Sequence, residues 1–93
     1  MSIATTSVRS ENPQRILKRL CNHWSHRFQI SSEREGHALI DLGERGVAEF
    51  SITGDILEVS ARHEEERLPA LKTAIENHLQ RFAGDETLVF QWS

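Results

Sequence analysis

The sequence has a single cysteine, no tyrosine and no long apolar run. Cys21 has no partner for an intrachain disulfide, and no CxxC pair is present to build a zinc knuckle or a thioredoxin-like redox site. No apolar stretch approaches the roughly 20 residues that a membrane-spanning helix needs. The first residues lack the basic start and the apolar run of a secretory signal. We therefore expect a cytoplasmic protein without disulfides and without a membrane partner.

The sequence also lacks an excess of positive charge. It has 11 Lys and Arg against 14 Asp and Glu, which gives a formal net charge of −3. This balance argues against a general binder of nucleic acid, because such proteins normally carry a basic surface. A chain of 93 residues with 38% hydrophobic and 27% charged residues is typical of one globular domain, spanning residues 1–93.

The recognisable motifs of several enzyme classes are missing as well. There is no phosphate-binding loop, no GxGxxG and no GxSxG nucleophile motif, which favours a protein without catalytic activity but leaves an enzyme as an alternative. The unusual feature that is present is histidine, which occurs five times in this short chain.

Two segments have the apolar periodicity of amphipathic helices. The first begins at Asn12, a good N-cap, with Pro13 in the first helical position, and we expect it to end near Trp24 or Ser25. The second is expected to begin near Glu66 and to end before a glycine at position 84. Their apolar stripes consist of Ile16, Leu17, Leu20 and Trp24, and of Leu68, Leu71, Ile75, Leu79 and Phe82.

Alternating apolar residues between positions 28 and 61 indicate a meander of antiparallel strands, with a glycine-containing turn at 43–46. Residues 3–9 and 86–92 also alternate. The predicted order is β-α-β-β-β-β-α-β, and the fold class is α+β: a two-layer sandwich with both helices on one face of the sheet. This order resembles that of TATA-binding-protein-like domains, a likeness of topology that does not imply DNA binding.

The densest group of possible metal ligands is Cys21, His23 and His26, because imidazole and thiolate suit zinc, copper or iron. On a regular helix Cys21 and His23 lie about 160° apart, so they cannot bind one metal together. His23 and His26 can share a face. The alternative is structural: a cysteine at the edge of the core and two histidines at a solvated helix end.

His78 borders the apolar stripe of the second helix. Because both helices should pack on one sheet face, His78 can approach the first helix and complete a site with His23 or His26. The alternative is a partly buried histidine that forms a hydrogen bond with the backbone or a carboxylate. We expect His63 to be exposed and His37 to begin a strand, neither with a functional role.

Several of these residues also form a recognisable pattern. Residues 20–28 contain C-x-H-W-x-H-R-F, residues 78–82 contain H-L-x-R-F, and a tryptophan stands at position 92. Over essentially the whole chain the sequence resembles the small bacterial family of domains of unknown function numbered 2218. The resemblance places motif positions at Cys21, His23, Trp24, His26, Arg27, His78 and Arg81.

Some members of that family are fused to, or encoded beside, siderophore-interacting flavin reductases and iron-uptake components. The resemblance therefore implies an accessory role in iron or siderophore handling, with such a reductase or uptake component as partner. We expect no reductase domain in this chain, so the resemblance does not imply flavin or nicotinamide binding for it.

These observations lead to one main hypothesis, a cytosolic accessory protein that binds a transition metal (iron, zinc or copper) or an anionic metal chelate. The metal or ligand would be held by His23, His26, His78 and Cys21, and an anion by Arg27 and Arg81. A homodimeric interaction module without metal is the alternative. A Cys/His enzyme is a third possibility, which requires an exposed Cys21 with a low thiol pKa.

Overall fold

The computed structural model describes all 93 residues and contains five strands and two α-helices. Short 3₁₀ turns at Gly43–Arg45 and Glu65–Arg67 precede the fourth strand and the second helix. The α+β class and the predicted order are confirmed from the first strand to the second helix. Neither α-helix could span a membrane, since the first has 12 residues and the second has 16. The elements are β1 (Ser2–Arg9), α1 (Pro13–Trp24), β2 (Gln29–Ser31), β3 (His37–Asp41), β4 (Val47–Thr53), β5 (Ile56–His63) and α2 (Leu68–Ala83).

The five strands form one antiparallel sheet in the order β1-β5-β4-β3-β2. Pairing of Phe50 with Val59 on β5 and with Ala38 on β3 places these side chains on one face, where all three are buried. The buried residues of both helices belong to the same core cluster as this face. The two-layer arrangement follows, with the helices covering one side of the sheet and the other side left open.

The helix boundaries follow from local hydrogen bonding. The Asn12 side chain accepts a hydrogen bond from the Arg15 N–H at 3.2 Å, and Pro13 occupies the first helical position, as predicted for α1. The predicted start of α2 at Glu66 is two residues early. The N–H groups of Arg67 and Leu68 both donate to the Glu64 carbonyl, which forms a tight 3₁₀ turn before the regular helix.

The predicted last strand, residues 86–92, is instead an extended segment outside the sheet. Thr5 and Ser93 exchange two backbone hydrogen bonds, but the Gln91 N–H donates to the Thr6 hydroxyl. The Gln80 side chain donates to the Glu86 carbonyl and accepts from the Leu88 N–H. Side chains therefore form hydrogen bonds with backbone groups that would pair with a neighbouring strand if this segment belonged to the sheet. The alternating pattern instead reflects the packing of Leu88, Phe90 and Trp92 against the core.

Candidate functional site

A cleft of about 570 Å³ opens at one end of the sandwich. Its walls are the end of α1 with the residues that follow it, the turn between β3 and β4, the end of β5, and α2 as far as His78. Ligand sites in proteins typically have volumes of roughly 300–1,000 Å³. The cleft is therefore large enough for a small organic molecule.

The inner surface of the cleft is apolar. Trp24 ends the apolar stripe of α1 and is buried, and Phe28 packs against it edge to face with ring centroids 6.2 Å apart. Ala70, Ala74 and His78 follow one another at four-residue intervals and so share one face of α2. Because the two alanines are small, this face leaves room beside the aromatic rings. Leu42 and Leu71 complete the apolar lining.

The rim of the cleft carries more positive than negative charge, although the whole chain is negative. Arg27, Arg45 and Arg67 line it, against two carboxylates, Glu44 and Glu66. Neither Arg27 nor Arg45 takes part in an ion pair, and Arg67 has only a long, exposed contact of 4.0 Å with a glutamate of its own turn. The Arg27 guanidinium lies over the Phe28 ring, 5.8 Å from its centroid. A guanidinium without a carboxylate partner can bind a carboxylate through two parallel hydrogen bonds.

Two histidines from different helices meet at the cleft. The ring centroids of His23 and His78 lie 5.3 Å apart, and the His78 ring is 4.9 Å from that of Trp24. His78 Nδ1 lies 2.7 Å from the Ala74 carbonyl oxygen. A carbonyl can only accept, so Nδ1 carries the proton and Nε2 keeps a free lone pair. The expected approach of His78 to the first helix is thus observed, together with the backbone hydrogen bond of the structural alternative.

His63, which was expected to be exposed, is half-buried and also lines the cleft. Its Nδ1 accepts a hydrogen bond from the Glu64 N–H, and its Nε2 donates to the Glu44 carbonyl, both at 2.8 Å. The ring therefore ties the end of β5 to the turn before β4. No sequence motif indicated this role, because the contact depends on a turn that is distant in the chain.

The other predicted site residues lie outside the cleft. His26 and Arg81 are exposed and do not line it, and Cys21 is half-buried against the core. The α-helix ends at Trp24, so His26 does not continue the helical face that carries His23. No group of three or more His, Cys, Asp or Glu side chains is arranged to hold a metal ion. Among the proposed metal ligands, the cleft brings together only His23 and His78.

Cys21 is expected to react slowly with alkylating reagents. Burial raises the pKa of the Cys21 thiol above its ordinary value, because desolvation disfavours the thiolate. The fold therefore favours the neutral thiol, and the stability that this contributes is lost as the pH rises from the unfolded-state pKa through the higher folded-state pKa. At pH 8, iodoacetamide should modify the native protein several-fold more slowly than the urea-unfolded protein at the same pH. Equal rates would instead indicate the exposed, reactive thiol that a Cys/His enzyme needs.

The remaining histidine, His37, begins β3 as predicted but is buried. Its Nδ1 accepts from the Glu33 N–H at 3.1 Å, so Nε2 carries the proton and donates to Glu49 at 2.8 Å. Glu49 also lies 3.7 Å from Arg62. These contacts join the 32–36 loop to the open face of the sheet, and none of these residues lines the cleft.

Comparison with known proteins places the chain among relatives of the same size. A family described as "Uncharacterized protein conserved in bacteria (DUF2218)" matches residues 5–93. The chain is also similar to the NMR structure of PA4090 from Pseudomonas aeruginosa, with 30% sequence identity and a TM-score of 0.80, over 100% of this chain and 96% of that one. No curated protein matches it. The match over nearly the whole chain shows that this protein belongs to the bacterial DUF2218 family.

Proposed function

We propose that this protein is an accessory binding protein whose cleft holds a small organic anion with an apolar body. The observation that carries the proposal is the composition of the cleft: an apolar floor that includes Trp24, below a rim with three arginines. Apolar walls with a few well-placed polar groups are typical of ligand sites.

The two parts of the cleft would contribute comparable free energies. Removing about 100 Å² of a ligand's apolar surface from water contributes roughly 2.5 kcal/mol. A charge-assisted hydrogen bond to an arginine contributes about 1.5–3 kcal/mol. Together these gains amount to about 4–5.5 kcal/mol, so a ligand with one ring and one carboxylate should bind with a Kd no tighter than about 0.1–1 mM, and the cost of association weakens its binding further. A natural ligand with more such groups would bind more tightly.

An anionic metal chelate is the ligand class that we propose for the cell. The family resemblance implies iron or siderophore handling, and siderophores carry the carboxylate or catecholate groups that arginines recognise. In this proposal the protein works with a siderophore-interacting reductase or an iron-uptake component. The excess of arginine at the rim supports the proposal, because the chain as a whole has a net charge of −3 and positive charge is therefore concentrated at the cleft.

Salicylate provides a simple test, since it has one aromatic ring and one carboxylate. Isothermal titration of the untagged protein should show binding, whereas salicylamide, its neutral counterpart, should bind at least about tenfold more weakly. R27Q and R67Q should each weaken salicylate binding by about tenfold, the equivalent of one charge-assisted hydrogen bond.

Arg15 supplies the matched control for these variants. It is an exposed arginine of α1 that does not line the cleft, so R15Q should bind salicylate as the wild type does. Equal binding of salicylate and salicylamide, or an equal loss in R15Q and R27Q, would contradict recognition of an anion in the cleft.

The homodimeric interaction module is the alternative function. The C-terminal segment occupies part of the outer edge of β1, which leaves β2 as the free edge of the sheet. β2 has only three residues, and such a short edge strand offers few backbone groups for pairing. We therefore favour ligand binding. Sedimentation that showed a stable dimer at micromolar concentration would favour the alternative.

A further inference from the structure

The separation of the His23 and His78 rings matches that of two imidazoles around one metal ion. Imidazole nitrogens bind zinc-like metals at about 2.0–2.1 Å, which puts the ring centroids of two tetrahedral ligands roughly 5 Å apart. The observed separation of the two centroids is 5.3 Å. The rings come from different helices, so the pair exists only in the folded protein.

The hydrogen bond of the His78 ring and the free ring of His23 support the same role. His78 donates its Nδ1 proton to the Ala74 carbonyl at 2.7 Å, which fixes the ring and leaves the Nε2 lone pair available. Metal-binding histidines usually have such a bond from the other ring nitrogen. His23 is exposed, and its ring forms no hydrogen bond within the protein. His63, in contrast, uses both nitrogens for backbone contacts.

We propose that His23 and His78 together bind one transition-metal ion at the cleft, and that oxygen atoms of the bound organic anion fill its remaining positions. This inference rests on the proposed function, because it assigns the anion and the metal to one complex. Nickel, copper, zinc and iron are the suitable metals, since all accept imidazole nitrogen. Two protein ligands alone should hold a bare ion weakly, and a metal that arrives already chelated should bind better.

Nickel(II) nitrilotriacetate is the probe that fits this proposal, because the chelator leaves two coordination positions open and is itself a carboxylate anion. The untagged protein should bind it in a 1:1 complex by isothermal titration. H23Q and H78Q should each reduce the affinity by at least about tenfold. Glutamine at position 78 keeps a side-chain N–H that can donate to the Ala74 carbonyl, and ¹H–¹⁵N NMR spectra establish that each variant is folded.

His26 provides the matched control, since it is exposed near the same helix end but does not line the cleft. H26Q should bind the nickel chelate as the wild type does, and paramagnetic broadening should centre on the end of α1 and the middle of α2. Unchanged affinity in H23Q, or an equal loss in H26Q, would overturn the proposal. Because His23 is exposed, H23Q decides the question even if H78Q does not fold.

The salicylate titration separates this inference from the function on which it rests. If salicylate binds through the arginines but the nickel chelate does not bind, the histidine pair is not a metal site and the anion cleft stands. If the chelate binds through both histidines but salicylate does not bind, the pair is a metal site and the proposed recognition of organic anions is wrong.

Discussion

Replacement of Gly46 by alanine is expected to destabilise the protein by about 3–5 kcal/mol. Gly46 has a φ of +108° and a ψ of −162°, a conformation that residues with a side chain rarely adopt. A Cβ atom there would lie 2.7 Å from the Arg62 carbonyl oxygen, which is backbone and cannot move freely. Thermal unfolding followed by circular dichroism should show a Tm lower by roughly 15–30 °C.

The same substitution should also damage the cleft. The added Cβ would lie 2.9 Å from Leu71 Cδ2 and 3.0 Å from His63 Cδ2, and both residues line the cleft. The turn before β4 would have to move away from β5, which would disturb the hydrogen bond from His63 to Glu44. G46A protein that remains folded should therefore bind salicylate less tightly than the wild type.

Gly43 is the matched control because it lies in the same turn. Its φ is +65°, and a Cβ atom there would meet nothing within 4 Å. G43A should cost only about 1 kcal/mol, the strain of a left-handed alanine. If G46A and G43A lowered the stability by equal, small amounts, this would contradict the close packing of the turn against β5.

Replacement of Phe50 by alanine should cost about 4 kcal/mol. Phe50 lies on β4, the middle strand of the sheet, and its side chain is fully buried in the core. The lost stability has two parts, the transfer free energy of the ring and the cost of the cavity that the ring leaves. Urea unfolding should show a much lower midpoint with an unchanged slope.

Two further variants make this result interpretable. Phe90 is only half-buried at the edge of the core, so F90A should cost less than half as much as F50A. F50L, which retains much of the side-chain volume, should cost less than about 2 kcal/mol and remains measurable if F50A is unfolded. Equal losses in F50A and F90A would contradict the placement of Phe50 at the centre of the core.

Much of the fold could be predicted from local sequence because its signals are local. The cap at Asn12, the apolar stripes of both helices and the glycine turn at 43–46 each depend on neighbours in the chain. The last segment was wrongly predicted as a strand for the opposite reason. Its backbone bonds to the Gln80 and Thr6 side chains depend on distant residues, and an alternating pattern does not report them.

The candidate site could be predicted only in part. Helical spacing and the shared sheet face were enough to bring His78 toward His23. The same reasoning missed Arg45, His63 and Arg67, which reach the cleft from three separate loop or strand ends. Conversely, the motif included His26 and Arg81, which lie outside the cleft, because spacing along the chain does not reveal which side of the molecule a residue faces.

The most direct test of ligand binding in the cleft is a ¹H–¹⁵N NMR titration of the untagged protein with salicylate. We expect concentration-dependent shifts in the amide signals of residues 23–28, 42–46 and 67–74 and in the indole signal of Trp24, all of which surround the cleft. The indole signal of Trp92, which donates to Glu76 outside the cleft, should not move. No shifts even at tens of millimolar salicylate, or shifts centred on the exposed basic residues of α1, would contradict binding in the cleft.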